Sequence, residues 1–252
     1  IAREDRDIAA SVKETLEKKG IVFKMNAKVQ SVNHTSEKAM VAFTDSQTDE
    51  AFELEADAVL LATGRRPNTK ELHLEAAGVE VDARGAIIVD EYLKTTNPRI
   101  RAVGDVKGGL QFTYISLDDY RIIREDLFGK AERKTSDRDP VSYSVFIDPP
   151  LAHIGITEEE ALKRGYSFKV SRLPATSVVR SRTLQQTDGM LKAIINSHSG
   201  KIMGCTLFCT DAPELINIVT MAMKTGQHYT FLRDFIFTHP SMSEGLNQLF
   251  DV

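Results

Sequence analysis

The run Asp57-Ala58-Val59-Leu60-Leu61-Ala62 is the most restrictive stretch of the sequence. Its apolar residues follow one another without the alternation of a half-solvated strand, and the run has the length of a strand. Such a run reads as a β-strand covered on both faces, the environment of a parallel sheet flanked by helices. It stops at Thr63-Gly64-Arg65-Arg66-Pro67-Asn68, a stretch that cannot easily continue a strand. The chain has 252 residues, enough for about two domains of ordinary size.

Around this run the patterning alternates between helix and strand. A helix is expected over 5–19, with Ile8, Val12 and Leu16 on one face and Gly20 closing it. A short buried strand is expected over 21–25, then a β-meander at 27–32, 38–43 and 51–54. A short helix at 71–77 is closed by Gly78. Strands at 86–89 and 100–103 and a helix over 114–128 follow. The charged stretch 130–140 is the best linker candidate, and a domain boundary is placed near 138. Beyond it, strands are expected at 143–147, 168–173, 190–195 and 202–208, and helices at 157–164, 212–225 and 243–250. Strands joined by tight turns with helices interspersed describe an α+β domain with an antiparallel sheet.

Apolar residues make up 42% and charged residues 27% of the chain, as in soluble globular proteins. A net charge of −4 supplies no basic field for nucleic acid. No apolar run approaches the roughly 18–20 residues that span a membrane. Two cysteines, Cys205 and Cys209, exclude a disulfide-stapled secreted scaffold and make a cytoplasmic location the default. Four residues apart in a strand, their Cα atoms would lie roughly 13 Å apart. A disulfide needs them within about 7 Å, so they read as packed core thiols. His34, His73, His153, His198 and His228 show no metal-ligand spacing, and Asp118-Asp119 reads as a solvated helix face rather than a metal site.

Three stretches carry chemistry. In 95–105 a turn and a short apolar strand end in Gly104-Asp105, at the strand end where ligands of open α/β sheets sit. Glycine admits close approach of a ligand, and an aspartate there accepts hydrogen bonds from sugar or polyol hydroxyls. The same pair also serves as an ordinary strand-end turn. Just beyond, Phe112-Thr113-Tyr114 opens a helix, whose unpaired N–H groups favour electron-rich atoms. In 237–244, Phe-Thr-His-Pro-Ser-Met-Ser-Glu, His239 can take and give a proton near neutrality. Glu244, brought back by a turn through Pro240, would fix its tautomer and steady the imidazolium. A lone His near a Glu is more often structural, and the spacing is what raises this one.

Taken together and in this order, the stretches at 62–68, 95–105 and 237–244 resemble the pyridine nucleotide–disulfide oxidoreductases, over essentially the whole chain. The segments 109–120 and 237–244 resemble the reactive-chlorine-resistance, mercuric-reductase-like branch of that family. The resemblance implies an α/β part, with 1–66 the carboxyl-terminal portion of an NAD(P)-binding domain and 67–138 the returning segment of an FAD-binding domain. It implies a dimerisation domain over 139–252. It assigns FAD to Gly104, Asp105 and the helix start at Thr113, with Asp105 on the ribityl chain. Gly64 would pass close to bound NAD(P)H, and Val29 would contact its adenosine side. His239 would protonate a thiol or leaving group while Glu244 orients it, across the interface of a homodimer, and the His239–Pro240 bond would be cis. The substrate would be a small-molecule disulfide or oxidant. Arg101 stands where the family usually has an aromatic residue, and Phe112 and Tyr114 depart from the usual triplet.

Neither G-x-G-x-x-G phosphate loop nor the redox Cys-x4-Cys occurs in the sequence. The resemblance places all three upstream of Ile1, so the chain is expected to be a fragment. Two other readings stay open. As an isolated chain it would be a non-catalytic dimerisation module. Alternatively its parent would be a metal-ion reductase acting on Cu(II) or Hg(II). Against mercury, the chain ends Leu249-Phe250-Asp251-Val252 without a cysteine pair.

Overall fold

The computed structural model describes every residue except Ala2 and Ser36. The chain divides into two compact units, Leu16–Arg66 and a larger one formed by Ile1–Thr15 with Pro67–Val252.

The smaller unit holds the end of helix α1 (Arg6–Lys18) and a three-stranded antiparallel meander of β1 (Ala27–His34), β2 (Ala39–Asp45) and β3 (Ala51–Ala56). On β2, Ala39 and Phe43 are buried, and the Phe43 ring stacks on that of its cross-strand partner Phe52 with centroids 5.4 Å apart. Two expected strands are corrected here. Residues 21–25 and 57–62 form no strand and pair with none among the described residues. Leu60 and Leu61 are 90% and 73% exposed. A strand of this composition is stable when neighbours take up its backbone groups on both edges and helices cover its faces. The pattern names that environment, and the described residues do not supply it.

From Pro67 on, the larger unit continues with a loop-rich segment. A 3-10 turn at Leu74–Ala77 and a small cluster of Val79, Ile87 and Ala102 organise it. The expected strands at 86–89 and 100–103 are reduced to single bridges, Val81 with Ile87 and Lys94 with Arg101. A second 3-10 turn, Gly104–Lys107, packs against α2 (Thr113–Phe128), whose buried positions are Ile115, Asp118, Asp119 and Ile122.

The rest is a five-stranded antiparallel sheet in the order β4 (Tyr143–Val145), β5 (Leu151–Gly155), β8 (Ile202–Phe208), β7 (Met190–Asn196) and β6 (Phe168–Pro174). Helices α3 (Glu158–Lys163), α4 (Val179–Leu184), α5 (Ala212–Lys224), α6 (Thr230–Arg233) and α7 (Gly245–Leu249) accompany it. Helix α5 starts with Pro213 in its first turn and packs Leu215, Ile216, Val219 and Ala222 into the main core. That core also takes Leu191, Leu207, Leu232, Leu246, Leu249 and Phe250.

β5 lies inside this sheet, between β4 and β8, yet is not apparent from pattern, because Pro149-Pro150 precede it and His153 interrupts its apolar run. His153 is buried between Thr206 Oγ1, at 2.8 Å from Nδ1, and the Gly155 carbonyl, at 3.1 Å from Nε2. β5 meets β8 at the pair Gly155 and Gly204. There a Cβ on Gly155 would come within 2.2 Å of the Met203 carbonyl oxygen.

The fold is therefore α/β in type with an antiparallel α+β domain. No helix among the described residues is long and apolar enough to cross a membrane.

Candidate functional site

After α6 the chain runs through 234–241 without regular structure, turns through the cis His239–Pro240 bond, and enters a 3-10 turn at Met242–Glu244 that continues into α7. Met242, Leu246, Leu249 and Phe250 anchor the turn in the core. A Cβ on Gly245 would lie 2.8 Å from a Val178 methyl, so glycine lets α7 start against α4.

This anchored turn holds Glu244 with its two oxygens in use. Oε1 lies 2.8 Å from His239 Nδ1, and Oε2 accepts the Ser241 N–H at 2.8 Å. The Ser241 amide and, after it, the His239 imidazole hold the Glu244 carboxyl below its ordinary range. An ionised carboxylate only accepts, so Nδ1 carries the hydrogen and Nε2 keeps its lone pair. The imidazole side chain is 68% exposed. The arrangement leaves a ring nitrogen with a lone pair on one side of the imidazole and a fixed anion on the other, which is what proton transfer by an imidazole requires.

The other residues singled out from sequence lie elsewhere. Gly104, φ 68°, is buried, and a Cβ there would come within 2.9 Å of Ser116 Oγ. Asp105 follows it on the exposed side of the turn, and Thr113 is exposed at the start of α2. Phe112 offers no side-chain cap to that helix, and its carbonyl accepts the Ile115 N–H at 3.0 Å. Gly64, φ 120°, has open space around its Cβ position, and Val29 lies exposed on β1. These last two belong to the smaller unit.

Asp118 and Asp119 require a correction. They are buried, not solvated, and Asp119 is 0% exposed. Asp119 Oδ2 accepts the Gly104 N–H at 2.7 Å and lies 3.5 Å from Lys107 Nζ, while Oδ1 takes Arg138. Asp118 is gripped by Arg133 and Arg138. Burial would raise the Asp118 pKa, but the two guanidinium groups outweigh it and hold it below its ordinary value. The stretch 130–140, expected to be a linker, is thereby a clamp that fixes α2 and, through Asp119, the Gly104 turn. The signal missed was the pairing of Arg133 and Arg138 with two acids on one helix. Arg101 is accounted for in the same way, since it pairs with Asp126, which also holds Lys94 at 2.8 Å. Phe112 stacks on Tyr143, centroids 5.7 Å apart.

Cys205 and Cys209 are free and buried. Burial pushes both thiols upward, Cys209 to about 12 with help from Asp211. Neither is a nucleophile near neutrality.

The antiparallel domain that ends in the His239–Glu244 pair matches the dimerisation domain of a known family. The model of the pyridine nucleotide-disulphide oxidoreductase family matches residues 2–119, and that of the family's dimerisation domain matches residues 141–250. The chain belongs to this family. It is 48% identical over its whole length to a probable pyridine nucleotide-disulfide oxidoreductase, RclA, of Escherichia coli (strain K12). It is 33% identical, over 96% of its length, to a mercuric reductase of Staphylococcus aureus. It covers 56% and 44% of those two proteins, about half the length of each. Among solved structures it resembles a Cu(II) complex of the HOCl-induced flavoprotein disulfide reductase RclA from Escherichia coli. There the TM-score is 0.93 and the identity 48%, covering 99% of this chain and 55% of that one.

Proposed function

We propose that this chain works as part of an FAD-dependent NAD(P)H oxidoreductase of the disulfide reductase family, supplying the proton-transfer pair His239–Glu244 to a redox centre across a homodimer interface. The observation that carries the reading is the 2.8 Å contact between His239 Nδ1 and Glu244 Oε1, which leaves Nε2 exposed and basic. His239 would give a proton to a departing thiolate and take it back in the next turnover, with Glu244 holding the ring. The match to the family's dimerisation domain supports the homodimer.

FAD would be held by Gly104, Asp105 and the uncapped start of α2 at Thr113, and when bound it supplies electron relay between NAD(P)H and thiols. The residues present fit that group. The Gly104 turn is fixed by Asp119, Asp105 lies at an exposed position beside it, and α2 starts without a side-chain cap. Gly64 and Val29 would serve the nicotinamide nucleotide. The proposed organisation is 1–66 for the NAD(P) side, 67–138 for the FAD side and 139–252 for dimerisation.

The test uses the FAD-loaded full-length protein carrying His239→Gln. Reduction of bound flavin by NAD(P)H should persist, while turnover with a disulfide should fall by about 10²–10⁴. Unchanged turnover would overturn the reading. The Cu(II) complex of the RclA relative favours a second reading, with Cu(II) as the substrate. Among the described residues no three His, Cys, Asp or Glu side chains gather to hold a metal ion. NAD(P)H oxidation measured with Cu(II) against a disulfide separates the two.

A further inference from the structure

His239 stands near the end of an irregular segment, residues 234–241, in which Phe237 packs against the main core and the Phe235 ring lies 5.8 Å from that of Phe231 on α6. Glu244 fixes the imidazole at the tip. A side chain on such a segment is placed only as well as the backbone beneath it, so something must hold the root as well.

Asn247 does so. It lies on α7, three residues after Glu244, and its Nδ2 is 2.9 Å from each of three carbonyl oxygens, those of Leu232, Arg233 and Phe235. Leu232 and Arg233 close α6, where the last carbonyls lack partners within the helix. Phe235 belongs to the irregular segment itself, four residues before His239. The amide has two hydrogens, shared among three acceptors at one corner. The same short helix is rooted in the core through Leu246 and Leu249. One rigid element therefore grips the segment twice, at the Phe235 carbonyl through Asn247 and at the His239 ring through Glu244. An asparagine that served only to close α6 would need only the Leu232 and Arg233 carbonyls. The bond to Phe235 reaches beyond the helix into the segment that delivers the imidazole.

We infer that Asn247 is a positioning residue for His239, holding the root of the 234–241 segment so that Nδ1 stays on Glu244 and Nε2 faces outward. This rests on the proton-transfer reading of the pair. Asn247 touches neither the ring nor any reacting atom, so its loss should act through the imidazole's hydrogen-bonded state.

The experiment records the tautomer of His239 by nitrogen NMR on the whole chain labelled with [15N]histidine, at alkaline pH where the ring is neutral. His239→Gln assigns the signal by removing it. The unsubstituted chain should show Nδ1–H with a bare Nε2. Asn247→Asp keeps the side-chain shape but replaces the donor amide with acceptor oxygens. It should lose the Nδ1–H preference, with the Nε2–H form becoming the major one. Asn247→Gln, which retains the amide, should recover most of the preference. In each variant the signals of His153, buried in the sheet between Thr206 and Gly155, should stay in place.

Retention of Nδ1–H in Asn247→Asp overturns the inference. So does its loss in both the Asp and the Gln variant, and so does a loss accompanied by movement of His153, because the effect would then be global. Absence of Nδ1–H in the unsubstituted chain instead overturns the proton-transfer reading, so the two failures are distinguishable.

Discussion

Lys192 Nζ lies 2.9 Å from Asp5 Oδ2, joining β7 of the five-stranded sheet to the start of the chain. The ammonium also reaches Asp7 Oδ1 at 2.9 Å and Glu158 Oε2 at 2.7 Å, and it is 2% exposed. Asp5 in turn accepts the N–H groups of Glu158 and Glu159 at 3.1 and 3.2 Å, at the start of α3. A buried lysine is tolerable only with such partners. Burial would lower its pKa, but Glu158, Asp7 and Asp5 together raise it.

Removing this cation leaves three carboxylates together, with Arg172 beside Asp7 and Glu158. Lys192→Met should therefore destabilise the larger unit by about 3–5 kcal/mol, the usual cost of stranding buried charge. Urea unfolding followed by circular dichroism measures it. A change within about 0.5 kcal/mol, as at an ordinary surface site, would show that the cluster is solvated in solution.

The acids on α2 give a pH signature. The folded-state pKa of Asp118 lies below its ordinary 3.8. A depressed carboxyl pKa contributes stability that is present in full above the unfolded value and is lost as pH falls through the folded one. Arg138→Gln removes a partner of both Asp118 and Asp119. It should cost stability at neutral pH, and the gap from the unsubstituted chain should close as pH drops below about 4, where unfolded carboxyls take up protons. Urea midpoints across that range read it. A gap that stays constant down to strong acid would assign the loss to packing rather than charge.

These clusters mark where the sequence stops being readable. The His239–Glu244 pair is legible because both residues sit in one turn, five positions apart, where local spacing controls geometry. Helix α5 is legible because Leu215, Ile216, Val219 and Ala222 repeat at the helical period. Lys192 reads as a polar position in an otherwise apolar strand, because the partners that bury it stand 185 residues and more away in Asp7 and Asp5. Asp118 and Asp119 read as solvated for the same reason, since the arginines that cover them lie on a stretch whose composition looks like a linker. The run at 57–62 fails differently. Its composition reports the burial a strand needs, but burial is a property of neighbours, and none pairs with it among the described residues.

Burial also governs the thiols. With Cys209 pushed up to about 12, its thiolate fraction at pH 8 is about 10⁻⁴. Neither Cys205 nor Cys209 should react with a thiol-specific reagent in the folded protein, and both should react at once in denaturant. Reaction of either in the native state, at a rate above that of unfolding, would mean that β8 opens locally.

The approach of β5 to β8 can be tested with glycine alone. Gly155 and Gly165 both have positive φ, 82° and 69°, so alanine at either meets the left-handed penalty of about 1–2 kcal/mol. They differ in what surrounds them. A Cβ on Gly165 would meet nothing within 4 Å, whereas on Gly155 it would lie 2.2 Å from the Met203 carbonyl and 2.9 Å from the Gly204 Cα. Relieving that contact means moving β5 away from β8, and overpacking of this kind adds about 1–3 kcal/mol. Gly155→Ala should therefore destabilise the larger unit by about 1–3 kcal/mol more than Gly165→Ala. Thermal unfolding of the two variants side by side decides it. Equal losses would place β5 farther from β8 than the hydrogen-bonded register of Gly155 with Gly204 requires.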